Sequence, residues 1–304
     1  AAFSDVSFFS KASCIDASAG FVMLGSTNEA TYGDQTDRWW CSAYQDATSA
    51  TAFTPSVTTQ CTTGRLVDAP GAILAIRALG SNFVAYKAKS MFLGTYVGAP
   101  SVWAWLQVPG EIGCSSQEAI VATGTSHMFV GDNNIYKYDG TRPIPIGDEI
   151  KRWFFADLNK PYRHLIKGLH EVALSRVWFF YPSGLSATNN AAIVYNYVTG
   201  TWGKCSISTE CAVEYLSGQI TWDSMGTLYA TWDDLPLIAY DSQFWLQSTP
   251  LPTVFNTSHV LQTITGISAG CSITTGDMGD DTQLSTISRA RPHFTQSPTS
   301  EIGR

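Results

Sequence analysis

One short pattern recurs along this chain of 304 residues: an apolar strand with tyrosine or another aromatic at spaced positions, followed by a turn. It occurs at 133–140 as NNIYKYDG, at 191–202 as AAIVYNYVTGTW and at 236–245 as PLIAYDSQFW. A unit of roughly 40–60 residues that returns in this way is typical of a β-propeller, whose blades are small antiparallel sheets. The repeat therefore predicts an all-β fold, a β-propeller of about five to seven blades.

Short strands separated by Gly, Pro, Asn or Asp fill most of the sequence and group into five predicted blades. The second blade is the clearest, because four strands follow one another at 72–79, 83–87, 90–96 and 102–108. The other predicted blades cover 1–60, 113–146, 162–207 and 211–247. We therefore expect a propeller domain at 1–247, followed at 248–304 by Ser/Thr-rich strands that either close the propeller or leave it.

One short helix is predicted within this β fold, near 147–158. Ile150, Trp153, Phe154 and Leu158 have the spacing of one helix face. Asp148 precedes them as the expected N-cap residue, and a proline follows the predicted end.

The composition favours a subunit of an assembly. Charged residues make up 14% of the chain, whereas about a quarter is usual in soluble domains. Aromatic residues reach 12% and include ten tryptophans. Surfaces that are poor in charge and rich in aromatic side chains are typical of protein interfaces. No apolar run approaches the 18 or so residues that a membrane-spanning helix needs.

No pattern in the sequence specifies catalysis, a cofactor or a metal. The candidate carboxylates for a glycosidase pair are Glu118, Asp148, Glu149, Asp233 and Asp234, and the last two lie in a predicted turn. The five histidines, at 127, 164, 170, 259 and 293, lack metal-binding spacing. The seven cysteines, at 14, 41, 61, 114, 205, 211 and 271, contain no C-x-x-C and are expected to be buried thiols. We predict no catalytic, cofactor-binding or metal-binding residue, and hence no enzyme.

The charge is distributed unevenly along the chain. Between Cys205 and Ser288 there is no Lys or Arg, against nine acidic residues. The segment 137–176 instead holds eight basic residues, near the aromatic residues Tyr136, Tyr138, Trp153, Phe154 and Tyr162. Basic and aromatic residues together also suit single-stranded nucleic acid binding, but we expect most of these aromatic side chains to face the core.

Seven landmarks follow one another between residues 38 and 202. They are Arg38-Trp-Trp-Cys-Ser42 with Asp46, Pro70-Gly-Ala-Ile73 with Leu79-Gly-Ser81, Met91–Val108, Gly113-Cys-Ser-Ser116, Tyr136-Lys-Tyr-Asp-Gly140-Thr-Arg-Pro143-Ile144, Val177-Trp-Phe-Phe-Tyr-Pro182 and Val194-Tyr-Asn-Tyr-Val-Thr-Gly200-Thr-Trp202. Their order resembles the propeller of tail nozzle proteins of short-tailed phages, the group of the tail tubular B protein and the packaged-DNA stabilisation protein. Members of that family are usually longer and carry a Trp shortly after the Ser-x-x-x-Asp stretch, where Phe53 is the nearest aromatic residue here.

The resemblance implies a structural virion protein that is made in the host cytoplasm and located in the phage tail. Identical subunits, commonly six in that family, would form a ring that retains the genome and conducts it during ejection. Other tail or adaptor proteins would be its partners, and DNA would pass through the lumen without specific binding. We expect the acidic stretch 205–288, with Asp223, Asp233 and Asp241, to line that lumen, because bound phosphates need Lys or Arg partners.

Two alternatives remain open from the sequence. One is a receptor-binding or carbohydrate-binding propeller of a phage tail, which includes a propeller that degrades glycans. It predicts exposed tryptophans and carboxylates at one mouth, with Trp103, Trp105, Trp222 and Trp232 as candidates. The other is a kelch-type interaction scaffold, which normally carries regular Gly-Gly pairs that do not occur in this sequence.

Overall fold

A computed structural model describes residues 9–215, Thr231 and 251–264. These residues form five antiparallel sheets, each ordered as in the sequence. Sheet 1 contains β1 (Phe9–Ser18), β2 (Phe21–Glu29), β3 (Gly33–Cys41) and β4 (Thr62–Arg65). Sheet 2 contains β5 (Ala75–Leu79), β6 (Asn82–Tyr86), β7 (Met91–Gly98) and β8 (Val102–Gln107). Sheet 3 contains β9 (Ile120–Ala122), β10 (His127–Val130), β11 (Ile135–Tyr138) and β12 (Pro143–Pro145).

Sheets 4 and 5 complete the series. Sheet 4 contains β13 (Lys167–Glu171), β14 (Arg176–Tyr181), β15 (Ala191–Asn196) and β16 (Thr201–Cys205). Sheet 5 contains β17 (Cys211–Tyr215), β18 (Leu251–Phe255) and β19 (Leu261–Thr263). One α-helix, α1 (Lys151–Asp157), and a 3-10 helix (Lys160–Leu165) lie between sheets 3 and 4, and a second 3-10 helix (Gln117–Ala119) precedes sheet 3. The predicted class, all-β with small propeller-type sheets and one short helix, is confirmed.

The tyrosine repeat marks an equivalent position in consecutive sheets. Its first copy forms β11 and its second forms β15, and each is the third strand of its sheet. The third copy, at 236–245, lies outside the described residues. The predicted boundary between residues 247 and 248 also lies outside them and stays a prediction, although β18 and β19 show that 251–264 adds strands to sheet 5.

The sequence missed strand β12 because of its two prolines. Pro143 pairs with Tyr138 and Pro145 with Tyr136, at the free edge of sheet 3. Proline cannot donate a hydrogen bond within a sheet, but an edge strand has one side without a neighbour and tolerates it. β18 also contains a proline, Pro252, and was likewise not predicted, although it lies between β17 and β19.

The predicted helix begins later than expected and its predicted cap is wrong. Its N-cap residue is Ile150, whose side chain makes no capping hydrogen bond. The Asp148 carboxylate instead accepts hydrogen bonds from the side chains of Asn134 and Lys151. Asp148 thus makes a hydrogen bond with Asn134 of sheet 3 instead of capping the helix.

The first strands of neighbouring sheets run parallel, side by side. The Ser18 hydroxyl, at the end of β1, donates to the Gly80 carbonyl just after β5, at 2.6 Å. Between sheets 3 and 4 the Lys167 ammonium lies 3.1 Å from the Glu118 carboxylate. Between sheets 4 and 5 the Val172 amide, just after β13, donates to Glu214 near the end of β17. The turns that follow the first strands therefore all lie on one face of the fold.

Apolar clusters fill the spaces between consecutive sheets. Trp39, Met23 and Phe83 belong to the cluster between sheets 1 and 2, and Phe129 and Tyr86 to the one between sheets 2 and 3. A third cluster joins sheets 3 and 4 with α1, and a fourth joins sheets 4 and 5. Because strands pack on both of their faces, more than half of the aromatic side chains in the described part of the chain are buried in the core.

The cysteines follow the predicted pattern in part. Cys14, Cys41, Cys61 and Cys114 are buried free thiols. Burial raises the pKa of Cys14 to about 12 and that of Cys41 to about 11, which leaves both thiols protonated and unreactive at neutral pH. The exceptions are Cys205, which is half-buried, and Cys211, which is exposed. Cys271 lies outside the described residues.

Candidate functional site

One face of the fold is formed by the turns that follow the first and third strands of each sheet, and we call it the turn face. Its described segments are 19–20, 42–61, 80–81, 99–101, 123–126, 139–142, 172–175 and 197–200. These segments carry three residues of the Asp, Glu, Lys and Arg types, namely Asp46, Asp139 and Arg142. The connection between β17 and β18, apart from Thr231, lies outside the described residues.

The opposite face, the connector face, is formed by the remaining turns and by the links between sheets. Its described segments are 30–32, 66–74, 87–90, 108–119, 131–134, 146–166, 182–190, 206–210 and 256–260. They carry fourteen charged residues: Asp68, Lys87, Lys89, Glu111, Glu118, Asp132, Asp148, Glu149, Lys151, Arg152, Asp157, Lys160, Arg163 and Glu210. The two faces therefore differ strongly in charge, although both are built from short connections.

Exposed apolar side chains accompany the lack of charge on the turn face. Val198 is 74% exposed, and Val172 and Leu174 in the neighbouring sheet-4 turn are more than half exposed. Tyr44 and Tyr96 are 49% and 45% exposed. Surfaces with few charges and exposed aromatic or apolar side chains are typical of binding sites. The turn face is thus the candidate functional surface among the described residues.

An aromatic cluster lies where sheets 1 and 2 meet at this face. The ring of Phe21, at the start of β2, is buried and lies 5.3 Å from the Tyr44 ring and 5.6 Å from the Tyr96 ring, between centroids. Trp103 packs beneath it, with its ring 5.5 Å from Phe21 and 5.7 Å from Tyr96. Two exposed tyrosines thus stand on a buried aromatic base.

An open cleft of about 370 Å³ adjoins the cluster. It is lined by the end of β1 and the following turn, the start of β2 and the segment after β3, and includes Ser18, Phe21, Ser42, Gln45 and Asp46. Its volume falls within the range of small-molecule sites. Among the residues that line it, Asp46 carries the charge.

Local hydrogen bonds fix the shape of this cleft. The Gln45 amide donates to the Gly20 carbonyl at 2.7 Å, and Gln45 has a φ of 57°, a conformation that non-glycine residues rarely adopt. Hydrogen bonds from the hydroxyl and amide of Ser49 and from the Thr48 amide lower the pKa of Asp46, so its carboxylate stays ionised. Such a strained backbone persists where the surrounding structure holds it, and often marks binding sites.

His127 joins sheets 2 and 3 from a fully buried position. Its Nε2 lies 2.9 Å from the carbonyl oxygen of Ala78, which can only accept, so Nε2 carries the proton. Its Nδ1 then accepts a hydrogen bond from the Tyr86 hydroxyl, also at 2.9 Å. Burial lowers the pKa of His127, with a further contribution from Arg77, while the Ala78 carbonyl and Asp16 act in the opposite direction. The histidine is therefore a neutral structural bridge.

Stability is expected to fall as the pH drops below about 6.5, the ordinary pKa of histidine. Because the pKa of His127 is lower in the folded protein than in the unfolded chain, the unfolded chain binds a proton first as the pH drops. The free energy of unfolding therefore falls by up to about 1.4 kcal/mol per pH unit. Urea unfolding at about pH 7.5 and pH 5.5 measures this loss. The loss should be smaller in His127→Gln than in the wild type and unchanged in His164→Gln, which alters an exposed histidine. Equal losses in all three proteins would contradict the assignment.

The carboxylates considered for catalysis lie apart from the cleft. Glu118 forms an ion pair with Lys167, and Asp148 forms one with Lys151 at 2.7 Å. Asp233 and Asp234 lie outside the described residues, as do Asp223 and Asp241. Within the described part of the chain no group of three or more His, Cys, Asp or Glu side chains could hold a metal ion.

The other described histidines also have identifiable neighbours. His170 lies 3.2 Å from the Tyr197 hydroxyl, and His259 lies 2.8 Å from the Glu210 carboxylate. The ring of exposed His164 lies 6.3 Å from that of Tyr162. His293 lies outside the described residues.

The aromatic residues near the basic stretch divide between core and surface. Tyr138 and Phe154 are buried, as expected, whereas Trp153 and Tyr162 are about 40% exposed. The Lys204 ammonium lies 4.3 Å from the centre of the Trp153 ring, and Arg163 forms an ion pair with Asp132. Three of the eight basic residues of this stretch, Lys151, Arg163 and Lys167, are thus paired with carboxylates within the protein.

Of the four tryptophans expected at an exposed mouth, the two that the structure describes are not exposed there. Trp103 is buried and Trp105 is partly buried, with its ring 5.4 Å from that of Trp39. Trp222 and Trp232 lie outside the described residues. Sequence reasoning overlooked Tyr44 and Tyr96, because their positions reveal no periodic signal until sheets 1 and 2 are brought together.

No helix in the described part of the chain is long and apolar enough to span a membrane. No protein-family model and no curated protein matches the sequence.

Three solved structures show only a distant likeness. The N-terminal domain of Nup159 aligns at 6% identity over 69% of this chain and 54% of its own, with a TM-score of 0.37. Apo AztD from Citrobacter koseri aligns at 10% identity over 64% and 47%, and the computationally designed Ika8 protein at 9% over 64% and 61%, each with a TM-score of 0.34. The chain spans less than two thirds of each of these structures. Likenesses at these scores support no statement about function.

Proposed function

We propose that this chain is a structural subunit of a phage tail nozzle, one of several identical copies in a ring that retains the genome and conducts it during ejection. The observation that carries the proposal is where the landmark motifs lie. Ser42 and Asp46 of the first motif line the cleft, but residues of several other motifs lie at the junctions that hold consecutive sheets together. Closely packed junctions of this kind suit a structural protein that must withstand mechanical load.

The junction between sheets 3 and 4 illustrates this arrangement. The Asp157 carboxylate, at the end of α1, accepts hydrogen bonds from the hydroxyls of Tyr181 and Ser183 and lies 3.1 Å from the Lys204 ammonium. Its pKa is lowered because these hydrogen bonds and Lys204 outweigh the effect of burial. The Trp202 indole donates to the Ile146 carbonyl at 3.1 Å. Tyr181 and Trp202 belong to two of the landmark motifs, so both motifs anchor the link between the sheets.

The turn face supports the same proposal. Its low charge and its exposed apolar side chains suit contact with another tail or adaptor protein, because burying few charges lowers the cost of desolvation. Around the ring, identical subunits would meet through a second surface, as cyclic symmetry requires. The acidic stretch 205–288 is proposed to line the lumen, where DNA passes without specific binding.

Electron microscopy of the purified chain tests this function. We expect closed rings of identical subunits with an axial channel of about 20–40 Å, wide enough for duplex DNA. Mass measurement in solution should give an integral multiple of the 33.0 kDa chain. A protein that remains monomeric throughout an accessible concentration series, and forms no ring in images, would count against the nozzle assignment.

Carbohydrate binding is a second candidate function that one specific observation favours. The sequence predicted that tryptophans would supply the exposed aromatic side chains of a sugar site. The two described candidates, Trp103 and Trp105, are buried and partly buried. Tyr44 instead provides an exposed ring next to Gly20 and Gln45 of the cleft lining, and exposed Tyr96 packs against Phe21 of the same lining.

A further inference from the structure

We propose that the cleft beside Tyr44 and Phe21 binds a neutral pyranose sugar, such as a terminal galactose residue of a surface glycan. The site belongs to a single subunit, so the proposal holds whether or not the chain assembles into a ring. A tail component with such a site would contact polysaccharide through its turn face.

Aromatic stacking is the first requirement of a sugar site, and the exposed tyrosine ring beside the cleft offers it. The C–H groups on one side of a pyranose ring form a flat apolar surface that packs against an aromatic face. Tyr44 and Tyr96 present half-exposed rings that each pack against the buried ring of Phe21, a residue of the cleft lining, with centroids 5.3 Å and 5.6 Å from it. Tyr44 borders the cleft, because its hydroxyl accepts a hydrogen bond from Gln45 and a Cβ at Gly20 would meet its ring, and both of those residues line the cleft.

The tyrosine rings are held in place before a ligand arrives. The Tyr44 amide donates to the Thr59 carbonyl, and its ring lies so close to Gly20 that a Cβ there would be 2.8 Å from Tyr44 Cε2. The Tyr96 hydroxyl donates to the Gln60 side-chain oxygen at 2.5 Å. A platform that is already ordered loses little conformational entropy on binding.

Polar groups beside the platform suit sugar hydroxyls. The side-chain Nε2 of Gln45 donates to the Tyr44 hydroxyl at 3.3 Å, a long hydrogen bond that a ligand can replace. Asp46 Oδ1 accepts from the amides of Thr48 and Ser49, which fixes the carboxylate at the edge of the cleft. An ionised carboxylate accepts strong hydrogen bonds from hydroxyl groups.

The charge of the cleft distinguishes neutral sugars from other ligands. Lys and Arg are absent from its lining residues, and Asp46 adds a negative charge. A nucleotide, a sialic acid or a uronic acid would bring its own negative charge close to this carboxylate without a cation to offset it. Neutral hexoses avoid that repulsion. Galactose suits the platform well, because its axial 4-hydroxyl leaves a continuous C–H surface on the opposite side of the ring.

Saturation-transfer NMR with the full chain and methyl β-D-galactopyranoside tests the proposal. We expect binding with a Kd on the order of 1 mM, a usual strength for one small ligand on an open site. Tyr44→Ala should weaken binding at least about tenfold, while Tyr44→Phe, which keeps the ring, should bind within about threefold of the wild type. N-acetylneuraminic acid should give no saturable signal.

Tyr162→Ala is the matched control, since Tyr162 is a similarly exposed tyrosine on the connector face. This variant should bind like the wild type, and circular dichroism should show that each variant is folded. The proposal fails if the wild type gives no saturable signal up to about ten times that Kd. It also fails if folded Tyr44→Ala binds as well as the wild type, or if the acidic sugar binds as strongly as the galactoside. None of these outcomes depends on whether rings form.

Discussion

Replacing Gly113 with alanine is expected to lower the free energy of unfolding by about 3 kcal/mol. Gly113 lies against the backbone of the turn between β6 and β7, so that a Cβ would overlap the Lys87 carbonyl oxygen and lie 2.5 Å from the carbonyl carbon of Ala88. Both obstacles are main-chain atoms, which cannot rotate away as a side chain can. Relief would require the two segments to separate, which would stretch the hydrogen bond from the Cys114 amide to the Lys87 carbonyl.

Urea unfolding at neutral pH measures this change, provided that the dependence on urea stays the same in both proteins. Gly203→Ala is the matched control, because Gly203 lies in β16 with no atom within 4 Å of the added Cβ. That variant should differ from the wild type by less than about 0.5 kcal/mol. Similar effects of the two substitutions would mean that the close backbone approach at Gly113 is not what stabilises this junction.

Lys87→Met is expected to destabilise the protein by about 3 kcal/mol. The Lys87 side chain is fully buried, and its ammonium donates to the carbonyls of Leu66 at 2.6 Å and Ala69 at 2.7 Å. Burial lowers the pKa of Lys87, an effect that the carboxylates of Asp37 and Asp68 oppose. Methionine fills a similar volume but donates no hydrogen bond, so two buried carbonyls would lose this donor.

The same substitution two residues later, Lys89→Met, is the matched control. It distinguishes the effect of losing the two hydrogen bonds from the general effect of removing a lysine. Lys89 is exposed on the same turn, and Lys89→Met should change the free energy of unfolding by less than about 0.5 kcal/mol. Chemical unfolding of both variants and of the wild type gives the comparison. If Lys87→Met were as stable as Lys89→Met, the two hydrogen bonds would stabilise the protein by no more than the free energy that burial of the ammonium costs. That result would contradict the prediction.

Both substitutions act on one junction. Lys87 ties the link between sheets 1 and 2 to sheet 2, and the carbonyl of the same residue accepts from Cys114 in the link to sheet 3. One residue therefore connects three successive sheets through its side chain and its backbone. This arrangement gives a physical reason for a glycine at 113, within the Gly113-Cys-Ser-Ser116 landmark.

Much of the fold could be predicted from local sequence. The four strands of sheet 2 were all predicted, as was the helix that contains Trp153 and Phe154, because alternation, helical spacing and turn residues are short-range signals. The prediction missed four strands, β1, β4, β12 and β18, and the predicted first blade, 1–60, ended before β4. It was also wrong for the Asp148 cap; at this cap and at β12 a contact with a neighbouring strand or sheet decided the outcome. The candidate site was not predicted, because Tyr44 and Tyr96 are 52 residues apart in the sequence.

The sequence by itself determined the all-β class, the spacing of the strands and the equivalence of β11 and β15, since each depends on side-chain alternation and on turns of a few residues. Only the tertiary structure decided which side chains are exposed. It buried Trp103 and left Tyr44 and Tyr96 at the surface, and it collected the charges of distant turns on one face. Exposure depends on the neighbouring sheet, and the parallel arrangement of the first strands, which no local pattern encodes, sets where that sheet lies.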